Sequence, residues 1–396
     1  MREGWRETTL SEVAEIIMGQ SPPGVTYNEN GEGMPFIQGS AEFGERSPRP
    51  VKWCSEPRKV ARPGDCLVSV RAPVGDLNIA ATETCIGRGL AIVRPQEDVD
   101  KDFLGFLIEG SVQSMKSAST GGMFESITKA ALSSVSVHVP PFAEQRRVAD
   151  LLAHVDEVIA KEREAEARLR NARASLLADL LGDRRAAREG WDAVLLGDVA
   201  SPASGNAFPR KEQGSENGFV PFIKVSDMNS PGNEVAIGGA KNWLSKDQAK
   251  KLKVRIHEPG TVIFPKVGAA LKTEKRRILG AKAAFDNNVM GLTCGPRLKP
   301  DFLLLKMQTV RLADHVQEGA VPSVNNRIIN GIPIRLPELA EQERLAGVFL
   351  SADETINAQV ARNMGLLDAR SALLSVLLSG EHEIPESYDR FLAEAA

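Results

Sequence analysis

Cysteine is scarce in this chain: four cysteines occur among 396 residues, and none forms a Cys-x-x-Cys pair. The five histidines are equally dispersed. Neither residue type therefore has the spacing of a structural zinc site. We expect free thiols in a reducing compartment, no metal site and no cofactor in this chain.

Long apolar runs are also missing. Residues 372–378 form one of the longest, and it is far shorter than the roughly 20 residues of a membrane-spanning helix. The first ten residues are polar and charged, and no apolar segment of the kind found in secretory signals follows them. These absences predict a cytoplasmic protein that does not contact a membrane.

Charge of either sign is nearly balanced over the whole chain, at a net −3, but it is unevenly distributed. Residues 184–337 hold 24 Lys and Arg against 14 Asp and Glu, whereas residues 1–140 hold 14 against 18. The remaining two stretches are rich in acidic residues. One region is therefore basic enough to attract a polyanion, and the first region offers only scattered cations.

The sequence contains two copies of one pattern of sequence blocks. The block beginning at Gly4 aligns with the block beginning at Gly190, pairing Trp5 with Trp191. In the same order, MPFIQGS matches VPFIKVS, RPGDCLVSV matches EPGTVIFPK, and AEQRRVADLL matches AEQERLAGVF. Several blocks in one order indicate an internal duplication, and we expect the two tryptophans to be core residues.

Each copy begins with about 140 to 150 residues of short β-type runs broken by Pro and Gly, with a few helical stretches such as residues 101–116. This pattern predicts a mixed α/β domain. The predicted strands are residues 35–37, 66–70, 90–93 and 135–139 in the first copy, and 221–223, 262–264, 291–293 and 332–336 in the second.

Each copy ends in a long helix. Residues 142–181 contain no Pro or Gly, and apolar residues recur at steps of four and three. About 40 residues correspond to a rod about 60 Å long. The apolar positions are Val148, Leu152, Val155, Ile159, Leu169, Leu176 and Leu180, then Leu345, Phe349, Ala352, Ile356, Leu366, Leu373 and Leu377.

Three core-phase positions are polar in both helices: Glu162, Glu166 and Arg173 in the first, Gln359, Asn363 and Arg370 in the second. Their recurrence suggests a register-setting or less tightly packed middle, although a solvated face would explain any single one. Because the chain must return along its own path, we expect the helices to pair antiparallel, with the two α/β domains at opposite ends and related by a pseudo-twofold axis.

Such a protein suits a ligand with two sites at a fixed separation, and duplex DNA presents half-sites in that way. The order of domains and helices, the blocks PFIQGSAEFG, PFIKVSD, RPGDCLVSVRAPVG and EPGTVIFPKVGA, and the two P-x-x-x-EQ helix starts resemble the specificity subunits of type I restriction–modification systems. The segment GGMFESITKAAL departs from the family pattern, in which a polar Ser-Gly loop is more usual.

The resemblance implies an α/β (α+β) fold in which two long antiparallel coiled-coil helices separate two mixed α/β target recognition domains. The implied boundaries are residues 1–140 and 184–337 for the recognition domains, 141–183 and 338–380 for the spacer helices, and 381–396 for a tail. Each domain would read one half of a bipartite DNA sequence. The helices would bind two methyltransferase subunits, and restriction/translocase subunits would join outside; S-adenosylmethionine, ATP and Mg²⁺ would belong to those partners.

Contacts to bases and phosphates need cations or polar side chains on loops that can reach a groove. In the second domain the candidates are Lys224, Ser226, Lys266, Lys272, Lys275, Arg276, Arg277, Ser323, Asn325, Asn326 and Arg327. In the first domain they are Gln38, Ser40, Arg71, Arg88, Ser126 and Lys129. A solvated face is the alternative for the cluster at 272–277, and a helix cap or turn is the alternative for Asn325 and Asn326.

A catalytic role is the main competing class. The sequence has no Asn-Pro-Pro-Tyr/Phe motif, no glycine-rich cofactor loop, no Gly-x-x-x-x-Gly-Lys-Ser/Thr loop and no clear Asp…Glu-x-Lys nuclease run. We therefore expect no catalytic residues. Two alternatives stay open at this point: a specificity subunit of a related restriction–modification system, and a non-catalytic coiled-coil adaptor.

Overall fold

The computed structural model describes residue 2 and residues 4–119, 125–182, 185, 189–316 and 321–394, with the side chains of 392–394 excepted. Residues 120–124, which include the first four residues of the GGMFESITKAAL segment, and most of the linker between the two copies lie outside the described residues. The chain forms two compact units: residues 1–164 with 361–396, and residues 165–360. Both unit boundaries fall within the long helices.

The described residues of the first unit form three sheets, with strand orders β1-β11, β2-β10-β7-β8 and β3-β5-β4-β9-β6. Its strands are β1 (Arg6–Thr9), β2 (Ala14–Met18), β3 (Tyr27–Asn28), β4 (Met34–Ile37), β5 (Lys52–Cys54), β6 (Val60–Ala61), β7 (Cys66–Ser69), β8 (Leu77–Ile79), β9 (Thr84–Ile86), β10 (Leu90–Pro95) and β11 (Ser136–Val139). Its short helices are α1 (Leu10–Val13), α2 (Lys101–Gly110), α3 (Val112–Ala118) and α4 (Lys129–Ser133).

The second unit has the sheet orders β12-β21, β13-β20-β17-β18-β15 and β16-β14-β19. Its strands are β12 (Asp192–Leu195), β13 (Ala200–Ser204), β14 (Val220–Ile223), β15 (Ala236–Ile237), β16 (Trp243–Leu244), β17 (Val262–Pro265), β18 (Arg277–Leu279), β19 (Ala284–Phe285), β20 (Val289–Cys294) and β21 (Pro333–Leu336). The long helix α5 (Phe142–Leu181) is followed by the short helices α6 (Leu196–Val199), α7 (Lys246–Lys251), α8 (Gly268–Leu271), α9 (Pro300–Thr309) and α10 (Asn326–Asn330). The chain ends with the long helix α11 (Leu339–Ser379) and with α12 (Asp389–Glu394).

The two units share a common set of strand pairings. In the first unit β4 pairs antiparallel with β5 and parallel with β9; in the second, β14 pairs antiparallel with β16 and parallel with β19. The registers agree as well, because Phe36 lies opposite Cys85 and Phe222 lies opposite Ala284. The predicted fold class, two mixed α/β domains with long helices and an internal repeat, is confirmed.

The long helices pair antiparallel within each unit. In the first unit, Arg362 of α11 meets Glu162 of α5 at 2.7 Å, and Arg370 meets Asp156 earlier on α5. In the second unit Arg173 of α5 meets Asp353 of α11. The apolar stripe differs from the prediction at its ends: Leu177 and Leu374 are buried there, whereas the expected Leu176 and Leu373 are half-buried. The α-helix has 3.6 residues per turn, so a stripe assigned at steps of four and three drifts around the helix.

The Gln of each EQ helix start joins the long helix to the α/β domain. Gln145 is buried; its Oε1 accepts from the Asp100 amide at 2.8 Å, and its Nε2 donates to the Asp98 and Pro140 carbonyls. Gln342 repeats the pattern with the Lys299 amide and the Arg297 and Pro337 carbonyls. A buried amide with both ends satisfied fixes the direction in which the helix leaves its domain. This explains why the motif occurs twice.

Trp5 and Trp191 are both buried, as expected for core residues. The Trp5 indole donates to Glu144 at 3.2 Å, and Trp191 packs edge-on against Phe302. Among the described helices, none combines the length and the apolar character that crossing a membrane requires.

Candidate nucleic-acid interface

Four of the residues predicted to contact DNA in the first domain surround one surface pocket of about 220 Å³. Gln38 follows β4, Arg71 follows β7 and Arg88 follows β9, so three neighbouring strand ends supply the walls. The lining residues are Gln38, Gly39, Ser40, Arg71, Ala72, Arg88 and Gly89. Residues that are 17 to 50 positions apart in the sequence are therefore adjacent in the fold.

Close backbone approach holds these strand ends together. The Gly89 amide donates to the Gln38 carbonyl at 3.2 Å, and the Val70 amide donates to the Gly89 carbonyl at 2.9 Å. A Cβ at position 89 would lie 2.6 Å from the Gln38 carbonyl oxygen, so only glycine fits there. The pocket walls are thus set by the backbone, and the side chains that project from them are free to serve a ligand.

Arg71 and Arg88 give this pocket its charge. Both side chains are exposed, and neither makes a hydrogen bond or an ion pair with another residue in the described part of the chain. Two unneutralised guanidinium groups, each with five N–H donors, suit a phosphate or a base edge. The positive charge is local, because the surrounding domain is net acidic.

Ser126 is connected to the same pocket through Arg71, and Lys129 follows it by three residues in the chain. Ser126 forms a backbone bridge with Arg71, and the Ile127 amide donates to the Val70 carbonyl at 3.0 Å. Lys129 is exposed at the first turn of α4, where Thr128 accepts from the Ala131 amide as the N-cap. Five of the six predicted residues of the first domain thus lie at or next to one pocket, and Lys129 begins the helix that follows.

The equivalent strand ends of the second domain carry Lys224, Ser226, Lys266 and Ser323. Ser323 forms a backbone bridge with Val267, just as Ser126 does with Arg71. Lys224 donates to Gln213 at 2.5 Å and lies 5.7 Å from the Phe208 ring centre, and Ser226 is exposed. Lys266 donates to Ser204 at 2.9 Å, and burial lowers the pKa of its ammonium group. Both lysines already have protein partners, unlike the two arginines of the first domain.

The predicted cluster of four cations at 272–277 is wrong for Arg276. Its side chain is 1% exposed, donates to Glu274 at 2.6 Å and to the Val310 carbonyl, and lies over the Phe264 ring. Burial lowers the pKa of this guanidinium. The segment leads directly into β18, whose alternation turns residue 276 inward. Arg276 is therefore a core residue and not a surface cation.

The other three cations of the cluster differ in how accessible they are. Lys272 is exposed, with no side-chain partner among the described residues. Lys275 is half-buried beside Asn229, and Arg277 donates to the Met228 carbonyl at 2.9 Å. Lys272 is thus the member of the cluster best placed to meet a phosphate.

Asn325 is a helix cap. Its Oδ1 accepts from the Ile328 amide at 3.0 Å, which starts α10. The alternative reading of this residue therefore describes its side-chain oxygen. Asn326 and Arg327, the next two residues, are exposed on the first turn of α10 and lie where Lys129 lies in the first domain.

Sequence reasoning missed Asn287 and Asn288. Both are exposed in the turn after β19, and the Asn288 carbonyl accepts from the Lys266 amide at 2.8 Å. Burial raises the pKa of the neighbouring Asp286 carboxyl. The alignment of repeats skipped this turn because the two copies share no letters there. The backbone hydrogen bonds show that this turn is the repeat equivalent of the turn that carries Arg88.

Within the described ranges, no group of three or more His, Cys, Asp or Glu side chains is placed to hold a metal ion. The described thiols are unpaired: Cys54, Cys66 and Cys85 are buried and Cys294 is half-buried. Burial raises the pKa of the Cys66 thiol to about 12, which disfavours a reactive thiolate.

Two known proteins resemble this chain over different lengths. One from Methanocaldococcus jannaschii, provisionally named the type I restriction enzyme MjaX specificity subunit, is 40% identical over 182 residues, which are 45% of this chain and 43% of that protein. The type I restriction enzyme MjaIX specificity subunit of the same organism is 22% identical over 96% of this chain and 94% of that protein. This chain therefore matches less than half of the first relative and nearly all of the second.

Solved structures share the fold. One, from work on complex assembly and conformational transition of the type I R-M system, aligns with a TM-score of 0.68 at 18% identity, covering 96% of this chain and 98% of that one. The S subunit of a type I restriction–modification system from M. genitalium aligns with a TM-score of 0.51 at 14% identity, covering 94% of this chain and 96% of that one.

The family model for the type I restriction modification DNA specificity domain matches the chain twice, over residues 2–170 and 188–362. The two matches coincide with the two copies of the internal repeat. The chain therefore belongs to the family of type I restriction–modification specificity subunits.

Proposed function

We propose that this specificity subunit binds double-stranded DNA and that each α/β domain reads one half of a bipartite target. The proposed recognition domains are residues 1–140 and 184–337. The helices at 141–183 and 338–380 set the spacing between the half-sites and bind two methyltransferase subunits, and the residues from 381 onward form a tail. Restriction/translocase subunits join this complex.

One observation carries the proposal: Arg71, Arg88, Gln38 and Ser40 converge on one exposed pocket. Duplex DNA presents phosphates and base edges that arginine and glutamine bind through paired hydrogen bonds. Loops at strand ends can enter a groove while the sheets behind them stay rigid. The double match to a DNA specificity domain supports one such surface in each copy.

The chain itself contributes recognition and no chemistry in this proposal. S-adenosylmethionine, ATP and Mg²⁺ are held by the partner subunits, and the complex works in the cytoplasm. The sequence lacks the motifs that bind those groups, which supports placing them in the partner subunits. The purified chain should therefore bind DNA weakly and transfer no methyl group from S-adenosylmethionine when incubated without partners.

The decisive experiment exchanges one domain and maps methylated adenines in cells that carry the methyltransferase subunits. Replacing residues 1–140 with the matching domain of another specificity subunit should change one half of the methylated sequence and leave the other half intact. The reciprocal exchange of residues 184–337 is the matched control and should change the other half. If either exchange alters both halves, or if the purified chain methylates DNA alone, the proposal is wrong.

A further inference from the structure

The repeated backbone allows residues of the two candidate surfaces to be matched one by one. The Gly87 amide donates to the Ile37 carbonyl at 2.8 Å, and the Asp286 amide donates to the Ile223 carbonyl at 3.0 Å. These hydrogen bonds close the same turn after β9 and after β19. Position 87 therefore corresponds to 286, and the next residue in each copy, Arg88 or Asn287, occupies the same place.

A second pair of matched positions follows the central strands β7 and β17. The Val70 amide donates to the Gly89 carbonyl and the Lys266 amide to the Asn288 carbonyl, at 2.9 and 2.8 Å. In the next step of the chain, Arg71 bridges to Ser126 and Val267 bridges to Ser323. Position 71 thus corresponds to 267, where the arginine is replaced by a half-buried valine.

The two surfaces therefore present different chemistry at equivalent places. The first has arginine at both positions, and the second has asparagine and valine. Arginine pairs through two hydrogen bonds with O6 and N7 of guanine, whereas asparagine pairs in the same way with N6 and N7 of adenine. Valine has no donor, but its methyl groups can contact the C5 methyl of thymine.

The charge distribution points the same way. The first domain has a net charge of −4 yet has two arginines without protein partners at this pocket, whereas the second has +10 yet carries neutral side chains at both matched positions. If the arginines served only phosphate binding, the basic domain would be expected to carry them too. Their presence in the acidic domain alone favours base reading over general attraction to the DNA backbone.

We propose that Arg71 and Arg88 make the first domain read guanine, and that Val267 and Asn287 make the second domain read an A·T pair at the matching place. This inference rests on the proposed function, since it assumes that both surfaces meet DNA. It adds to that function which base pairs each domain prefers, and it names the four side chains that determine the preference.

The test uses the full-length chain assembled with its methyltransferase subunit and a library of randomised DNA. Arg88→Asn should lower the preference for guanine at one position of one half-site by roughly 5- to 150-fold and favour adenine there. Asn287→Arg should bring guanine into the other half-site. Arg71→Val and Val267→Arg should act in the same directions at a second position. Arg58→Asn, an exposed arginine between β5 and β6, is the matched control and should leave both half-sites unchanged.

The outcomes separate this inference from the proposed function. If Arg88→Asn weakens binding to every sequence equally and lowers its salt dependence, the arginine is a phosphate contact and the inference is wrong, while the proposed function stands. If the assembled wild-type chain selects no sequence at all, the proposed function itself fails. Arg88 and Asn287 lie in turns, and Arg71 and Val267 form single β-bridges just after strands. Thermal unfolding of each variant checks that the fold is intact.

Discussion

Arg370 on α11 donates two hydrogen bonds to the carboxylate of Asp156 on α5, and Arg173 on α5 makes the same double contact with Asp353 on α11. The two pairs are repeat equivalents, because each joins the same positions of the two copies with the helices exchanged. Each arginine also bonds to a neighbouring α/β domain: Arg370 to Glu109 at 2.5 Å, and Arg173 to Gln308 at 3.2 Å.

These pairs give the polar positions of the helices a physical role. An arginine with two hydrogen bonds to a carboxylate requires one relative position of its two backbones, whereas an apolar stripe tolerates sliding by a turn. Each arginine additionally lies over an aromatic ring, Phe106 for Arg370 and Phe349 for Arg173. The pairs therefore specify helix register, as the recurrence of the polar positions suggests.

Substituting Arg370 with Met should lower the thermal midpoint of the first unit. The substitution keeps most of the apolar stem but leaves Asp156 and Glu109 without their partner. Since all three side chains are partly exposed, at 16%, 41% and 38%, we expect a loss of about 1–3 kcal/mol, or roughly 3–8 °C. Calorimetry on the full chain measures this.

Arg362→Met is the matched control for that experiment, because Arg362 joins the same two helices through an ion pair with Glu162 but is itself 62% exposed. Its loss should cost no more than about 0.5 kcal/mol. A double variant of Arg370→Met with Asp156→Leu should recover part of the loss, because no unpaired carboxylate is left at that position. Equal midpoints for Arg370→Met and Arg362→Met would show that the contacts of Arg370 contribute no more to stability than the ion pair of Arg362.

The helices and the duplication were predictable from the sequence because both leave long, regular signals. Residues 142–181 lack Pro and Gly, and an apolar stripe recurs in both helices, a pattern that few structures other than a long helix explain. The EQ motif was visible as a repeated string. Its function as a buried joint was not, because Gln145 bonds to carbonyls and amides that carry no side-chain signature.

The candidate surface was predictable only in part. Arg71 and Arg88 were found from residue type and loop position, but nothing in the sequence places them on one pocket. Arg276 was misassigned because four cations within residues 272–277 are typical of a solvated surface. Only the strand pairing at β18 shows that residue 276 faces the core. Asn287 was missed because the two copies share the backbone hydrogen bonds of this turn but not its side chains, and a comparison of sequences sees only the side chains.

Arg276 and Lys272 should separate stability from DNA affinity. Arg276→Met removes a buried guanidinium and leaves the Glu274 carboxylate with only its amide donors, so we expect a loss of about 3 kcal/mol in the second unit. Lys272→Ala should leave the thermal midpoint unchanged within about 1 °C but lower the salt dependence of DNA binding by about one phosphate contact. Calorimetry and titrations of the assembled complex at several salt concentrations measure the two effects. A stable Arg276→Met variant with weakened DNA binding would reverse the assignment of the two residues.

His257 should make the second unit sensitive to mild acid. Its ring is buried, stacks on Phe285 with 4.2 Å between ring centres, and its Nε2 has no hydrogen-bond partner in the described part of the chain. Burial, with a smaller contribution from Arg255, lowers the pKa of this imidazole from 6.5 to about 4. The imidazole therefore takes up a proton near pH 6.5 in the unfolded chain but only near pH 4 in the folded chain. The contribution of the neutral imidazole to stability is fully present above pH 6.5 and declines as the pH falls towards 4, with about 2 kcal/mol lost by pH 5.

His257→Phe keeps a stacked ring and removes the titrating group, so its thermal midpoint should fall less between pH 7 and pH 5 than that of the wild type. His382→Asn, at an exposed position of the first unit, should follow the wild-type curve; parallel curves for the wild type and His257→Phe would show that the buried imidazole does not set this dependence.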